Sequence, residues 1–240
     1  MANIRWHKLF NKKKFKYISE SKKVHTNSYQ LARIIYPNLT KKKFGQITNF
    51  LLKEINVKKS DKFLDFGSGN GAFLVFFRKK VKKLYSMDIS KPLIELQKKR
   101  LDKTKFIITN PFKVNFFKSL KNDEIDVSIS NSVFHYFYSD FYCKKVLSEM
   151  IRVTKKTIFI YDIKDKNKKK FFFEEVRKRQ NLSLTEFKNK YKDTPQRLYY
   201  KSFFSNFLKE KFPKIKFKFI NLPKGATDKE YGYCLKISKY

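Results

Sequence analysis

Apolar positions along the chain form short runs, separated by stretches in which they recur every three to four residues. That alternation of strand and helix patterns predicts a mostly parallel sheet covered by helices on both faces. The short runs predict strands at Lys62–Phe66, Lys83–Met87, Lys105–Thr109, Ile125–Ser130 and Thr157–Asp162. Helical spacing predicts helices at Ala72–Lys80, Lys91–Leu101 and Phe141–Val153. Pro92 falls in the first turn of the second of these, where its missing N–H does no harm. Ahead of the first strand, a basic and poorly patterned tail leads into two helices, Tyr29–Tyr36 and Lys41–Ile55, with Asn38 and Thr40 as candidate caps for the second.

Beyond the fifth strand, Lys164–Lys170 is a charge run that reads as a solvated loop or as the first turn of a long helix, and Phe171–Tyr191 is helical in pattern. Lys214–Asn221 and Tyr231–Ser238 then alternate apolar and basic residues at period two, with Pro223 and Gly225 in the turn between them. Two such strands predict an antiparallel hairpin. The expected fold class is therefore α/β: a Rossmann-like, doubly wound sheet, mostly parallel, ending in a C-terminal antiparallel hairpin. Residues 1–58 are expected to form the tail and cap helices, and residues 59–240 the main domain, with an insertion at about 164–210.

The segment Lys62-Phe-Leu-Asp-Phe-Gly-Ser-Gly-Asn-Gly-Ala-Phe73 carries the candidate chemistry. It runs from a strand through a glycine-rich turn into a helix. Gly67, Gly69 and Gly71 let the backbone turn sharply and approach a ligand, and the helix N-terminus offers free N–H groups. Gly67, Gly69 and Ala72 also satisfy the dinucleotide fingerprint, and Asp88 ends the next strand 21 residues after Gly67, where it can accept hydrogen bonds from a ribose. Asp65 separates the two ligand classes. A dinucleotide site usually has an apolar residue there, because a carboxylate would sit close to the pyrophosphate, whereas a ligand bearing an ammonium group suits a carboxylate.

With Asp65 included, the segment resembles motif I of the class I S-adenosylmethionine (SAM) methyltransferases, an acid followed after one residue by Gly-x-Gly-x-Gly. Ser86-Met-Asp-Ile-Ser90 is similar to the family's acidic second-strand end. Ile125-Asp-Val-Ser-Ile-Ser-Asn-Ser-Val-Phe-His-Tyr-Phe137 is similar to its fourth strand and following turn, and Val146–Lys155 to the helix leading into strand five. The resemblance spans Asp61 to Asp162 by motif and the hairpin by pattern. It implies SAM as cofactor, with Gly67, Gly69 and the backbone of Ser68 near the methionine part, Asp65 beside them, Asp88 on the ribose hydroxyls and Ile89 on the adenine. Asn131, at the end of strand four, belongs to the same implied cofactor set. In strand three the family often has Asp as the adenine contact, and this chain has Asn110, whose carbonyl makes the same hydrogen bond without charge.

Methyl transfer from a sulfonium is an in-line displacement with an activated leaving group, so the protein mainly holds nucleophile and methyl carbon in line. A hydroxyl acceptor gains from a general base. Among the three histidines, His135 follows strand four at the carboxyl edge of the sheet, where open α/β folds bind ligands, and is the candidate base. A structural histidine packed in the turn is the alternative. Tyr136, Tyr138 and Asp162 are placed at the same edge, with Tyr29 and His25 closing it from the N-terminal side. The resemblance also makes the stretch between strands five and six a substrate cover. There Arg197, Tyr199, Tyr200 and Lys201 cluster, and Arg197 with Tyr200 are the candidate substrate contacts, set against an amphipathic packing helix.

Composition then bounds the partners. The chain has 240 residues, 41% of them hydrophobic and 32% charged, enough to bury a core and too charged for an integral membrane protein. The longest apolar run, Ala72 to Phe77, falls far short of the roughly 18–20 residues a membrane span needs. Cys143 and Cys234 form no CxxC pair, no metal site is expected, and no secretory pattern opens the chain, so a reducing, cytoplasmic setting is expected. The net charge is +36, from 57 basic and 21 acidic residues. Of the basic residues 49 are Lys and 8 Arg, and the skew toward Lys, Phe and Tyr matches what an A+T-rich genome imposes. Glu is scarce, so codon bias does not account for all of the charge.

The leading expectation is a SAM-dependent methyltransferase acting on an O or N atom of a small biosynthetic metabolite. An RNA or protein methyltransferase guided by its basic surface is second, with nucleic acid or an anionic membrane surface as the partner the charge allows. Enzymes that methylate amino groups of adenine or glutamine typically end strand four in Asn/Asp-Pro-Pro-Tyr/Phe. Here that position reads Asn131-Ser-Val-Phe134, without either proline. A non-catalytic partner subunit is the third class, disfavoured by the intact glycine motif.

Overall fold

A computed structural model describes residues 27–35, 38–109, 115–192, 196–226 and 228–239, with the side chains of residues 34, 35 and 116 excepted. His25, Tyr36 and Asn110 lie outside the described residues. The described helices are α1 (Ser28–Ile35), α2 (Lys41–Ile55), α3 (Ala72–Phe77), α4 (Lys91–Lys98), α5 (Asp140–Val153), α6 (Lys169–Arg179), α7 (Leu184–Tyr191) and α8 (Lys201–Lys211). The strands are β1 (Lys62–Phe66), β2 (Lys83–Asp88), β3 (Lys105–Ile108), β4 (Ile125–Asn131), β5 (Thr154–Lys164), β6 (Lys216–Asn221) and β7 (Gly232–Ser238). They form one seven-stranded sheet in the order β3-β2-β1-β4-β5-β7-β6. The first five run parallel, and β7 lies antiparallel between β5 and β6. The expected fold class therefore holds, hairpin included.

Alternation along the strands sorts the core into two layers. Leu64, Tyr85 and Ile158 join α5 and α8 on one face, whereas Phe63, Leu84 and Phe159 join α1, α2 and α3 on the other. Local sequence starts the helices where the pattern predicts. Thr40 accepts the Lys43 N–H at 3.2 Å, and Ser139 accepts the Tyr142 N–H at 3.0 Å, each satisfying a first-turn donor. The chain winds outward from β1 through β2 to β3, then crosses back to β4. That reversal between β1 and β4 opens a crevice at the carboxyl ends of both strands.

Four elements differ from expectation. The helix expected at Phe171–Tyr191 is two helices. Asn181 takes a left-handed φ of 50°, ending α6, and Ser183 with Glu186 forms a capping box that starts α7. Strand β5 extends to Lys164, so the charge run opens with a lysine only 3% exposed rather than with a loop or a helical turn. Helices α3 and α4 end earlier than the apolar spacing suggests, at Phe77 and Lys98. Among the described residues, no helix is long and apolar enough to cross a membrane.

Candidate active site

The loop after β1 is shaped by glycines in the left-handed region: Gly67 at φ 75°, Gly69 at 58° and Gly71 at 81°. At Gly67 the requirement is also steric, since a Cβ would lie 2.2 Å from the Val133 side chain, which reaches over from the turn after β4. The Gly67 and Ser68 amides both donate to the Met87 carbonyl, at 2.7 and 3.1 Å, tying the loop to β2.

Two buried carboxyls sit under this loop. Asp65 is 1% exposed, and its Oδ1 has no hydrogen-bond partner among the described residues. Burial, and then the nearby charge of Asp88, push its pKa up to about 8. Asp88 is also buried. Its Oδ2 accepts the Gly69 N–H at 2.7 Å and its Oδ1 the Ser90 N–H at 2.8 Å, and burial outweighs these amides to raise its pKa to about 6. Ile89 is half-buried beside it.

Gln97, wholly buried on α4, braces the loop. Its amide donates to the Ser68 hydroxyl at 2.8 Å and the Gly69 carbonyl at 2.7 Å, and its oxygen accepts the Ser86 hydroxyl at 2.7 Å. Sequence reasoning passed over it. The available signal was a glutamine four residues after Leu93 and three after Ile94, on the apolar face of α4.

A second cluster forms where β4 and β5 end. Ser132 and Asp162 both take left-handed φ values, 54° and 64°, and the Ser132 hydroxyl donates to Asp162 Oδ2 at 2.7 Å. Lys164 pairs with Asp162 at 2.6 Å and with Asp228, and Arg179 pairs with Asp228 at 3.1 Å. The Tyr231 hydroxyl donates to Asp228. Burial alone would lower the Lys164 pKa, but the charges of Asp162 and Asp228 reverse this and raise it. Neither Lys164 nor Asp228 was singled out from the sequence. Only the two-residue spacing of Asp162 and Lys164 on one strand hinted at the pair.

His135 lies beside this cluster in a short 3₁₀ turn, Phe134–Tyr136. It is 3% exposed, and its Nδ1 has no partner among the described residues. Burial, followed by the charge of Lys164, holds its pKa well below the usual value, so the ring is neutral at physiological pH. The rings of His135 and half-buried Tyr136 are 4.0 Å apart. Arg197 reaches the same turn by its backbone, donating to the His135 carbonyl at 2.8 Å, while its guanidinium is engaged by Asp140 and the Tyr138 carbonyl. Tyr199 is buried, its hydroxyl on the Phe134 carbonyl at 3.1 Å. Tyr200 is exposed at the N-cap of α8, and Tyr29 packs on Phe44 in the cap.

The structure thus brings Asp65, Gly67, Ser68, Gly69, Asp88 and Ile89 to one side of the crevice, and Asn131, His135, Tyr136, Asp162 and Arg197 to the other. Val133 bridges the two at Gly67.

This crevice in this sheet is that of a class I methyltransferase. A family model described as a methyltransferase domain matches residues 57–214, and the chain belongs to that family. The methyl donor of the class is S-adenosylmethionine. A search of the curated proteins finds no match. Among solved structures, the chain is similar to a SAM-dependent methyltransferase from Aquifex aeolicus, 16% identical, TM-score 0.55, with 89% of this chain and 99% of that one covered. It is likewise similar to phosphoethanolamine N-methyltransferase 1 of Haemonchus contortus, bound to phosphoethanolamine and S-adenosylhomocysteine, at 14% identity and TM-score 0.65, covering 99% of this chain and 49% of that one. Magnesium protoporphyrin IX methyltransferase of Synechocystis PCC 6803, with bound SAH, matches at 13% identity and TM-score 0.60 over 100% of both chains.

Proposed function

We propose that the protein transfers a methyl group from SAM to an O or N atom of a small biosynthetic metabolite. The observation that carries this reading is the buried Oδ1 of Asp65, without a partner among the described residues, beneath a loop of three left-handed glycines, a site that fits the ammonium of the methionine moiety. The bound donor supplies a methyl on a sulfonium, which leaves as a neutral thioether. In this reading Asp65 holds the ammonium. Asp88, with lone pairs left beyond its backbone amide bonds, takes the ribose hydroxyls, and Ile89 packs on the adenine. The backbone from Gly67 to Gly69 makes room for the methionine part, and Asn131 borders it.

His135 is neutral and its Nδ1 is unengaged among the described residues, so it is the group at this edge suited to accept a proton from an O–H or N–H acceptor. Asp162 and Tyr136 border the acceptor. Arg197 holds the turn that carries His135.

Incubation of labelled SAM with a cell extract, followed by separation into RNA, protein, lipid and small-molecule fractions, tests the reading. Label in the small-molecule or lipid fraction is expected. Label in RNA or protein would replace the reading with one in which the +36 net charge recruits a polyanion.

A further inference from the structure

The segment between β5 and β6 lines an open cavity of about 490 Å³ between α6 and α7, none of whose lining residues was placed in the crevice described above. Its wall is apolar, built from Phe172, Phe173, Val176, Leu184 and Phe187. The two helices are fastened at one side by the Phe173–Phe187 ring contact at 5.8 Å, and at their far ends by Gln180 donating to the Tyr191 hydroxyl at 2.7 Å. Leu184 lines the cavity and stands 58% exposed, so the apolar wall reaches solvent there.

Charge around this apolar space is one-sided. Lys170, Lys188 and Lys192 line it and have no ion-pair partner among the described residues, while Glu174 is matched by Arg177 at 2.7 Å. The wall also contains Gln196, whose Oε1 is buried and unpartnered among the described residues, an acceptor for an O–H or N–H.

The cavity connects to the catalytic edge by contact. Gln196 precedes Arg197, whose N–H donates to the His135 carbonyl. On the inner side, the Phe172 ring packs 5.1 Å from Tyr231, the residue that donates to Asp228 in the ionic cluster beside His135.

We propose that this cavity takes the apolar body of an acidic amphiphile, a hydrocarbon chain or fused ring system bearing a carboxylate or phosphate, and so sets the substrate class of the enzyme. The hydrocarbon lies against the phenylalanines, the acidic group reaches the three lysines, and an O–H or N–H of the ligand meets Gln196 Oε1. The molecule binds singly from solution. The inference rests on the methyltransferase reading for its acceptor role and on the cavity alone for its chemistry.

The test is displacement of the fluorescent dansylaminoundecanoic acid from the full-length protein by dodecyl phosphate below its micelle concentration. S-adenosylhomocysteine binding is measured in parallel by calorimetry. Because Leu184 is exposed, Leu184→Asp leaves the fold intact, and it is expected to weaken dodecyl phosphate roughly tenfold while leaving S-adenosylhomocysteine binding unchanged. Lys188→Glu is expected to weaken it less, and Lys209→Glu, on α8, not at all. Dodecyltrimethylammonium, with the same chain and opposite charge, is expected not to compete.

Equal displacement by the two detergents, or an unchanged affinity in Leu184→Asp, would overturn the proposal. So would binding to phosphatidylglycerol vesicles without binding of the monomeric amphiphile. If S-adenosylhomocysteine binds and the amphiphile does not, the cavity inference fails while the methyltransferase reading stands. If the amphiphile binds and S-adenosylhomocysteine does not, the methyltransferase reading fails and the cavity keeps its ligand class.

Discussion

Asp65 and Asp88 place two buried carboxyls on adjacent parallel strands under one glycine loop, and the charge of Asp88 adds to burial in raising Asp65 to about 8. Asp88 accepts from backbone amides, those of Gly69 and Ser90 among them, and Asp65 Oδ1 has no partner among the described residues. The pair is therefore asymmetric: Asp88 is organised by the protein's amides, and Asp65 Oδ1 is not.

This asymmetry predicts a pH-dependent stability in the ligand-free protein. The folded-state pKa of Asp65 lies above its ordinary value of 3.8, so the folded chain keeps a proton that the unfolded chain releases. Stability then falls as pH rises from about 4 to about 8, by up to about 1.4 kcal/mol per pH unit from this group. Asp65→Asn removes that dependence. It is expected to raise the urea midpoint near pH 8, to change it little near pH 5, and to weaken S-adenosylhomocysteine roughly tenfold. Parallel pH curves for the two proteins would show that Asp65 is not the titrating group.

Gln97 predicts a different failure. Gln97→Ala strips partners from the Ser68 and Ser86 hydroxyls and the Gly69 carbonyl and leaves a void, a loss of about 2–4 kcal/mol in urea unfolding. Cofactor affinity should fall with it, because the loop loses its brace. A variant as stable as the wild type would mean that the loop is held by Asp88 and Met87 alone.

The strand and helix periods gave away the sheet, the glycine loop and the hairpin, because each is a local pattern: period two, period 3.6, or glycine where φ must be positive. Asp65 was legible for the same reason, standing two residues before Gly67. Lys164 was not. A lysine at the head of a basic run looks solvated, and its burial depends on two carboxylates, Asp162 on the same strand and Asp228, 64 residues on, which only the fold brings to it. The break between α6 and α7 was written locally, in Ser183 and Glu186, but the continuous helical spacing across it outweighed the capping signal. Gln97 was hidden because its partners are Ser68, Ser86 and Gly69, residues brought to α4 by the fold.

The Gly67–Val133 contact joins the glycine loop to the turn that carries His135, and it can be tested as a coupled pair. Gly67→Ala puts a Cβ into Val133 at a φ of 75°, and a loss of about 2–4 kcal/mol is expected. Val133→Ala alone leaves a small void. The double variant should recover the steric part of the loss and keep the backbone part, giving a favourable coupling of about 1 kcal/mol or more in a double-mutant cycle. Simple additivity would mean that Val133 moves aside freely, and that the two halves of the crevice are mechanically independent.

Lys164 supplies the last prediction, because it is the buried cation between two carboxylates. Lys164→Met leaves Asp162 and Asp228 facing each other, with Arg179 pairing only the second. Removing one partner of a buried ion pair destabilises by about 3–5 kcal/mol. The sign of the pH effect follows from what remains. Without the ammonium, Asp162 titrates still higher than its already raised value, so the folded variant takes up a proton that the unfolded chain does not hold. The deficit should therefore be largest near pH 8 and shrink toward pH 5, as read from urea midpoints at the two values. Adding Asp228→Asn to Lys164→Met should restore part of the loss near pH 8 and little near pH 5. A deficit independent of pH would assign the effect to packing of the lysine stem rather than to the charge balance of the cluster.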